Sequence, residues 1–282
     1  MAHRPAAVAG TWYPARAEAL VREVDAYLAA ADVPRSGHVE AVIAPHAGLM
    51  FSGAVGAYAY KAAAATGAYD VAFVIGPSHY VSFDGVSVWA DGAFDFPLGP
   101  AVIDASAAAE LLVSPIAHVM PRAHQREHSI EMQLPFLRRL FPDIPIVPML
   151  MGLQRRETID ALAAAIARAA RGRRVLLIAS TDLSHFFDAA RAAALDARVQ
   201  DFVHAFDPEG LLDLFEQYPE QERGRYVACG GGPAIAVMKA ARDMGATVGR
   251  VLKYAHSGDV SGDNERVVGY LAAAFGHVPD AR

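Results

Sequence analysis

Four of the eleven histidines come directly after apolar, strand-like segments of the sequence. They are His46 in APHAG, His79 in GPSHY, His185 in STDLSH and His256 in KYAHSGD. In open α/β sheets, residues that follow the strands converge at one edge although they are far apart in sequence. Imidazole is the commonest metal ligand and a ready general base near neutral pH. The pattern therefore predicts metal or acid–base chemistry beyond the strand ends.

Two further side chains suit such a site. Cys229 is the single cysteine, and it comes immediately before Gly230–Gly232 and a predicted helix. A helix N-terminus stabilises a thiolate, which makes the thiol a better metal ligand or nucleophile. Asp182 lies three residues before His185, where it can orient an imidazole or bind a metal. Each also has an ordinary structural explanation, since free cysteines are commonly buried and aspartates commonly cap helices.

These residue types leave three chemistries open. Two histidines and an anionic residue form the ligand set of non-haem Fe(II) enzymes, in which oxygen and substrate take the free positions. A thiolate as third ligand is softer and extends the choice to copper or zinc. A cysteine with histidine and aspartate partners is instead the side-chain set of a hydrolase nucleophile.

A competing motif runs from His124 to His128. With Glu127 it matches the H-x-x-E-H pattern of zinc metallopeptidases, in which two histidines four residues apart share a helix face and the glutamate activates water. Pro121 and the loop around it place His124 at or before the predicted helix start, where the shared face is not guaranteed. The peptidase interpretation therefore ranks below a metal site at the strand ends.

The elements that must position these residues alternate between strand-like and helix-like segments. Short Val- and Ile-rich segments predict strands at Val39–Ala44, Val71–Ile75, Ile146–Met151, Val175–Ala179 and Arg250–Ala255, with a weaker one at Val86–Trp89. Helical patterns cover Ala15–Ala31, Gly53–Ala65, Ser106–Val113, Glu127–Leu140, Arg156–Ala170, Ala189–Phe206, Pro208–Tyr218 and Pro233–Met244. Pro135 is expected to kink or split the fourth of these helices. The alternation predicts an α/β fold with a central, mostly parallel sheet flanked by helices.

Composition and charge exclude several classes of protein and partner. The 282 residues carry 25 basic and 31 acidic side chains, a net charge of -6, and 54% of them are hydrophobic. No linker or repeat divides the sequence, so residues 1–282 are expected to form a single domain. The acidic balance argues against a nucleic-acid partner, and no apolar stretch reaches the roughly 18 residues of a membrane helix. The lone cysteine and the absence of a signal-peptide pattern favour the cytoplasm. A homo-oligomer is expected because symmetric dimers are common among soluble proteins.

Seven ordered sequence segments resemble one known family over nearly the whole chain. They are RPAAVAGTWYP (Arg4 to Pro14), APHAGLMFSG (Ala44 to Gly53), IGPSHY (Ile75 to Tyr80), EHSIEMQLPFL (Glu127 to Leu137), ASTDLSHF (Ala179 to Phe186), ACGGGPAI (Ala228 to Ile235) and YAHSGD (Tyr254 to Asp259). The sequence is similar to the Memo-like proteins, whose bacterial and archaeal members are often called AmmeMemoRadiSam system protein B. That family in turn resembles, in fold, the class III extradiol ring-cleavage dioxygenases.

The resemblance implies a ligand set. His46 and His79 match the two histidine ligands of Fe(II) in the dioxygenases, and Cys229 takes the position of their carboxylate ligand. His185 matches their catalytic acid/base, and Asp182 would line the same pocket. A cysteine in place of the carboxylate changes charge and softness, so ring cleavage does not follow from the resemblance and copper binding becomes plausible. Residues Glu127, His128 and Glu131 would then belong to a helix beside the pocket.

The sequence therefore predicts a Memo-like, non-haem iron-dependent redox enzyme, or a dioxygenase-like protein, that acts on a small molecule with O2. Fe(II) is the predicted metal, with copper and zinc as alternatives. A non-catalytic scaffold that holds iron, copper or a peptide in the same pocket is the second hypothesis, because fold does not prove function. The zinc metallopeptidase, through His124, Glu127 and His128, ranks third.

Overall fold

The strands form two sheets, a small one near the N-terminus and a large one at the centre. The computed structural model describes residues 3–34 and 37–277. Within these ranges the strands are β1 (His3–Arg4), β2 (Val39–Ala44), β3 (Val71–Pro77), β4 (Val86–Val88), β5 (Ala93–Phe94), β6 (Ala101–Val102), β7 (Ala117–His118), β8 (Ile146–Met151), β9 (Val175–Ser180), β10 (His185–Phe187), β11 (Val248–His256) and β12 (Val267–Gly276).

The central sheet has a parallel middle and antiparallel flanks. Its order is β11-β12-β2-β9-β3-β8-β4-β7, and β10 also pairs with β12. The four middle strands, β2, β9, β3 and β8, are mutually parallel, while β12 and β4 join them antiparallel. Every residue of these four strands is buried, as expected for strands covered on both faces. The predicted parallel centre is confirmed, and the whole sheet is mixed.

Helices cover both faces of the central sheet. They are α1 (Ala17–Ala30), α2 (Leu49–Ala64), α3 (Ala105–Leu112), α4 (Pro121–His124), α5 (Leu134–Leu140), α6 (Arg156–Ala169), α7 (Ala189–Ala205), α8 (Pro208–Glu216), α9 (Arg223–Tyr226), α10 (Gly231–Asp243) and α11 (Gly258–Ser261). One face packs on α1, α2 and α5, and the other on α3, α6, α7, α8 and α10. The predicted α/β architecture with a flanked central sheet is therefore confirmed.

A close helix contact shapes the first of these layers. A Cβ atom at Gly53 would lie 2.6 Å from Cε2 of Tyr27. Glycine at this position therefore lets α1 approach α2 closely. Helix α2 starts at Leu49, four residues before its predicted start at Gly53, and most of its residues are buried. The close packing fixes the N-terminus of α2, which follows the loop that carries His46.

Two sequence predictions are corrected. The Ala-rich segment Val267–Gly276 was not predicted to be a strand, yet it forms β12 between β11 and β2, where small side chains fit between two helical layers. The predicted helix Glu127–Leu140 is wrong in its first half. Residues 125–130 form turns, Glu131–Gln133 is a single 3-10 turn, and α5 begins at Leu134. Pro135 lies in the first turn of α5, where backbone N–H groups have no hydrogen-bond partner within the helix. Its lack of an N–H therefore costs no hydrogen bond, and the helix begins at this turn rather than being kinked there.

The N-terminal segment is anchored by a buried ion pair. Arg4 is fully buried, and its guanidinium donates hydrogen bonds to the Glu131 carboxylate and to the carbonyl oxygens of His124 and Glu127. The Glu131 carboxylate also accepts the Tyr13 hydroxyl at 2.6 Å. This pairing holds the turn that contains Glu127 against the first residues of the chain.

None of the helices in the described ranges is long and apolar enough to cross a bilayer.

Removal of one partner of this buried pair should be strongly destabilising. Arg4→Met leaves the Glu131 charge buried without its cation, which we expect to lower the free energy of unfolding by about 3–5 kcal/mol. Urea unfolding measures the change, and the double variant Arg4→Met/Glu131→Met should recover part of it. Asp70→Asn, which breaks the exposed Arg174–Asp70 pair, is the control and should change little. A small effect of Arg4→Met would contradict this account.

Candidate metal centre

The predicted site residues lie at one edge of the central sheet. His46 comes two residues after β2, His79 two residues after β3, and Asp182 two residues after β9. Because these three strands are parallel neighbours, their carboxyl ends bring the following loops together. The residues that follow these three strands therefore meet at one edge, as the strand-end pattern predicts for them.

Three potential ligand atoms converge there. One nitrogen of His46, one nitrogen of His79 and Sγ of Cys229 all lie within 4.8 Å of one another. Sγ of Cys229 is 3.2 Å from Nε2 of His46, and the two imidazole rings stand nearly perpendicular, with centroids 5.2 Å apart. His46 is buried, while the His79 side chain is 28% exposed and forms the open side of the site. The structure thus brings together the three residues that the family resemblance implied.

The loop that carries Cys229 is pressed against the end of β9. A Cβ atom at Gly230 would lie 2.4 Å from the Ser180 carbonyl oxygen, so only glycine fits there. Gln154 fastens the same loop, because its side-chain amide donates to the Cys229 carbonyl at 2.7 Å and its Oε1 accepts the Gly232 N–H at 2.7 Å. These contacts set the direction of the thiol, which lies just before the N-terminus of α10.

The hydrogen-bond network defines the protonation of His46. Gln133 Nε2 donates to the carbonyl oxygen of Pro45 at 3.1 Å and to Ser180 Oγ at 2.7 Å. Ser180 donates its single hydroxyl hydrogen to the carbonyl oxygen of Ser129 at 2.6 Å. Ser180 Oγ can then only accept from Nδ1 of His46, 2.9 Å away. If His46 binds a metal, it therefore keeps its proton on Nδ1 and offers the Nε2 lone pair to the ion.

The buried carboxylate of Glu127 holds the proton of His79 on Nδ1. Glu127 accepts the Nδ1–H of His79 at 2.9 Å and its backbone N–H at 2.6 Å. It also accepts the backbone N–H groups of His128 and Ser129, each at 2.9 Å. Burial would raise the pKa of Glu127, but its hydrogen bond to His79 and the nearby imidazole charges lower that pKa to about 2. Carboxylate, imidazole and metal form the usual sequence of partners at histidine metal sites.

The electrostatics of the metal-free site favour an anionic sulfur. Burial tends to raise the pKa of Cys229, but the charge of His46 and hydrogen bonds from both histidines lower it to about 6. The backbone N–H of Asp182 adds a contact to Sγ at 3.3 Å. Burial tends to lower the pKa of His79, yet hydrogen bonds to Cys229 and Glu127 raise it to about 10. At neutral pH the site therefore holds a thiolate beside a protonated His79.

Asp182 and His185 lie beside this cluster rather than within it. Oδ1 of Asp182 accepts the backbone N–H of His46 at 2.8 Å, so the carboxylate holds the His46 loop. Burial raises the pKa of Asp182, while the charge of His185 lowers it, which indicates that the two side chains share one environment. His185 is half-buried in β10, and its Nδ1 has no hydrogen-bond partner among residues 3–34 and 37–277. Asp188, not Asp182, caps α7.

His256 and His124 lie outside the ligand cluster. His256 ends the edge strand β11, where its backbone N–H donates to Asp259 Oδ2 at 2.9 Å. His124 is buried in α4, with Nε2 bonded to Ser87 Oγ at 3.0 Å, and burial lowers its pKa to about 3. The four-residue α4 ends at His124 and His128 lies on the following turn, so the shared helix face of the H-x-x-E-H motif does not form. The peptidase interpretation of this motif is therefore wrong.

A second group of potential ligands overlaps the first. Atoms of His79, Glu127 and His128 also lie within 4.8 Å of one another. Glu127 already accepts four N–H groups, so its oxygens are engaged. His128 Nδ1 has no hydrogen-bond partner in the described part of the chain, and its ring stacks on His79 with centroids 4.6 Å apart. Burial lowers the pKa of His128 to about 3, so this imidazole is neutral.

The comparisons with known proteins identify the family of this chain. A profile of the family described as Memo-like protein matches residues 4–274. This chain belongs to the Memo-like family. The resemblance inferred from the seven sequence segments is therefore confirmed.

Relatives match this Memo-like protein over nearly its full length. A MEMO1 family protein of Methanopyrus kandleri is 37% identical over 286 residues, which cover 96% of this chain and 98% of the relative. A MEMO1 family protein of Methanothermobacter thermautotrophicus is 38% identical over 281 residues, which cover 96% and 99%. The crystal structure of the uncharacterized Escherichia coli K12 protein JW3007 superimposes with a TM-score of 0.59 at 14% identity, over 85% of this chain and all of that one. This last likeness shows the fold alone.

A cavity lies on the N-terminal side of the candidate metal centre in this Memo-like protein, and none of His46, His79 and Cys229 lines it. Its volume is about 560 Å³, and it lies between the N-terminal segment and the start of α2. Its lining residues are mainly apolar or aromatic: Gly10, Thr11, Trp12, Tyr13, Pro14, Glu23, Gly48, Met50 and Phe51. The Trp12 ring contacts His128, with centroids 4.3 Å apart. The rings of Trp12 and His128 thus connect the cavity wall to His79.

Sequence reasoning missed the residues that orient the ligands. Ser180 and Gln133 were not singled out, although both lie in segments that carry the family resemblance. Glu127 and His128 were expected near the pocket without assigned contacts, and the structure places both there. Glu131 was expected in the same group, but it pairs with Arg4 away from the site.

Loss of the orienting hydrogen bonds should weaken metal binding without removal of a ligand. We expect Ser180→Ala and Glu127→Gln each to lower metal affinity about 10–100-fold, as is typical of partners that orient ligating histidines. Competition with a chelator of known affinity measures the change. Ser87→Ala is the matched control, because Ser87 is also buried and hydrogen-bonded to a histidine, His124, outside the site. Equal affinities in all three variants would contradict the assigned network.

The metal-free protein should also show an acidic thiol. Because the thiolate is the reactive form, the rate of alkylation of Cys229 by iodoacetamide should rise as pH increases through about 6 and then level off. His46→Ala removes the largest stabilising charge, so its midpoint should move up toward the ordinary value of about 8.5. A midpoint near the ordinary value in the unaltered protein would refute the assigned stabilisation.

Proposed function

We propose that this Memo-like protein is a non-haem, iron-dependent redox enzyme that acts on a small substrate together with O2. The observation that carries the proposal is the convergence of His46, His79 and Cys229 within 4.8 Å. Their hydrogen bonds support it, because Ser180 and Glu127 hold both Nδ1 protons and leave both Nε2 atoms for a metal.

The donor set fits a first-row transition metal. Imidazole nitrogen and thiolate sulfur are ligands of iron, copper and zinc, and three protein ligands leave positions for other molecules. The low pKa of Cys229 supports the anionic ligand that such a site requires at neutral pH. Fe(II) is the proposed metal, with copper or zinc as alternatives, and when bound it would supply redox and Lewis-acid chemistry toward O2 and substrate.

His185 and Asp182 are the proposed catalytic residues of this chain. The unpartnered Nδ1 of His185, as judged over the described residues, suits a group that accepts or donates a proton at the substrate. Asp182 positions His46 through the backbone N–H of that residue and adds negative charge near His185. Neither residue belongs to the ligand cluster, so their substitution should separate turnover from metal binding.

The neighbouring cavity supports a small-molecule substrate. A volume of about 560 Å³ suits a compact organic molecule, and the aromatic rings of Trp12, Tyr13 and Phe51 suit an aromatic one. A molecule seated there would contact Trp12, whose ring packs on His128 and through it on His79.

The same thiolate favours a second candidate function. A soft sulfur ligand also holds copper without turnover, so the pocket suits a non-catalytic iron- or copper-binding protein or a peptide-binding scaffold. The two candidates differ in oxygen consumption, which only the enzyme requires.

Metal content and oxygen uptake test the proposal together. Protein purified without oxygen and without a metal-affinity step should hold about one iron per chain, and His46→Ala and Cys229→Ala should lose it because each removes a ligand. His204→Ala is the matched control, since His204 is an exposed histidine on α7. Atomic emission spectrometry measures the metal.

Turnover is then measured as O2 consumption with a panel of catechols and other small aromatic molecules. His185→Ala should keep its iron and lose uptake at least about 100-fold, the usual contribution of a positioned acid–base group. Iron or copper binding without uptake on any substrate would favour the scaffold. A protein that binds none of Fe(II), Cu(I) or Zn(II) after reconstitution would refute both functions.

A further inference from the structure

A second group of metal-type ligands lies at the opposite end of the central sheet. His38 and Glu40 are at the start of β2, and His277 follows the end of β12. We refer to these residues as the His38 cluster. Since β2 has six residues, the cluster is separated from the candidate metal centre by about 20 Å along the strand.

The strand geometry brings the three residues to one place. Side chains two residues apart on a strand project from the same face, which applies to His38 and Glu40. The backbone N–H of His277 donates to the His38 carbonyl at 2.9 Å, so the two histidines are cross-strand neighbours. Nε2 of His277 is 3.5 Å from Oε1 of Glu40.

The carboxylate of Glu40 is buried and only partly satisfied. Its side chain is 8% exposed, and its Oε2 has no hydrogen-bond partner among the residues that the structure describes. Burial of the carboxylate raises its pKa, and the charges of His38 and His277 lower it, which places both imidazoles close by. A buried carboxylate of this kind needs a cation or further hydrogen bonds. Both histidines are exposed and reachable from solvent.

We propose that His38, Glu40 and His277 form a second binding site for a divalent transition metal ion such as Zn²⁺. Two histidines and one glutamate are a common ligand set for zinc, and the fourth position takes water. With zinc–ligand bonds of about 2.0–2.1 Å, tetrahedral geometry places two ligand atoms about 3.3–3.4 Å apart. The Nε2–Oε1 separation of 3.5 Å between His277 and Glu40 is close to this spacing.

The ligand atoms of His38, Glu40 and His277 are not among the groups that converge within 4.8 Å in the described residues, so the proposed site requires rotation of the His38 side chain. Its ring lies against Tyr69, with centroids 5.9 Å apart, and its exposure leaves it free to turn toward Glu40. An ion held by all three residues would join the start of β2 to the end of β12, the two antiparallel neighbours at that end of the sheet. The site is therefore structural, and it does not rest on the proposed redox function.

The matched control is a second histidine–carboxylate pair on the same protein. Nδ1 of His3 lies 2.8 Å from Asp95, but both side chains are about half exposed, at 55% and 49%. That pair lacks a buried carboxylate and a third ligand. A simple ion pair and a metal site should therefore respond differently to Zn²⁺.

Isothermal titration of Zn²⁺ into the metal-free protein tests the proposal. The unaltered protein should bind two equivalents, and His46→Ala/Cys229→Ala should keep one. In that background, His277→Ala and Glu40→Gln should each weaken the remaining site at least about tenfold, while His3→Ala should not. Zn²⁺ should also raise the Tm of the background variant, because the ion binds the folded chain.

The outcomes are distinct. If the His46→Ala/Cys229→Ala protein binds no Zn²⁺, or if His277→Ala and Glu40→Gln bind it as tightly as their background, the site is refuted and Glu40 is only an ion-pair partner. If the double variant does not fold, the stoichiometry of single variants decides. His277→Ala, an exposed change, should reduce two equivalents to one in the otherwise unaltered protein, and two equivalents in that variant would refute the site.

Discussion

The carboxylate of Glu127 is the interaction on which the candidate metal centre depends. It accepts four N–H groups, two from His79 and one each from His128 and Ser129. A buried carboxylate must be satisfied in this way, since each missing partner would leave charge without compensation. The same four bonds tie the end of β3 to the turn before α5. Arg4 then secures that turn by its bonds to the Glu127 carbonyl and to Glu131.

This arrangement defines proton positions before any metal is bound. Glu127 and Ser180 each hold an Nδ1 proton, so both ligating nitrogens are Nε2 atoms that face one sulfur. Without a metal, the charge of His46 and hydrogen bonds from both histidines stabilise the Cys229 thiolate, which explains how an anionic sulfur is tolerated in a partly buried site. A metal ion held by His46, His79 and Cys229 would take the place of a proton on each histidine Nε2. Metal binding should therefore release protons.

The two ends of the parallel strands have different chemistry. At the carboxyl ends, loops after β2, β3 and β9 project polar side chains into one space, while helix α10 begins beside the thiol. At the other end, the β2–β12 pair carries the His38 cluster, with Glu40 as its carboxylate. Between these two ends lie strands that are buried throughout.

The sequence by itself determined the parallel centre, most helices and the edge where the site lies. These follow from local patterns: apolar strand segments, amphipathic helices, and histidines placed directly after strands. The family resemblance added Cys229 as the partner of His46 and His79. What the tertiary structure decided were the partners, because they come from distant parts of the chain. Glu127 is 48 residues from His79, and Ser180 is 134 residues from His46. Strand β12 is also a tertiary result, since its alanines form a strand only where two neighbouring strands and two helical layers leave room for small side chains.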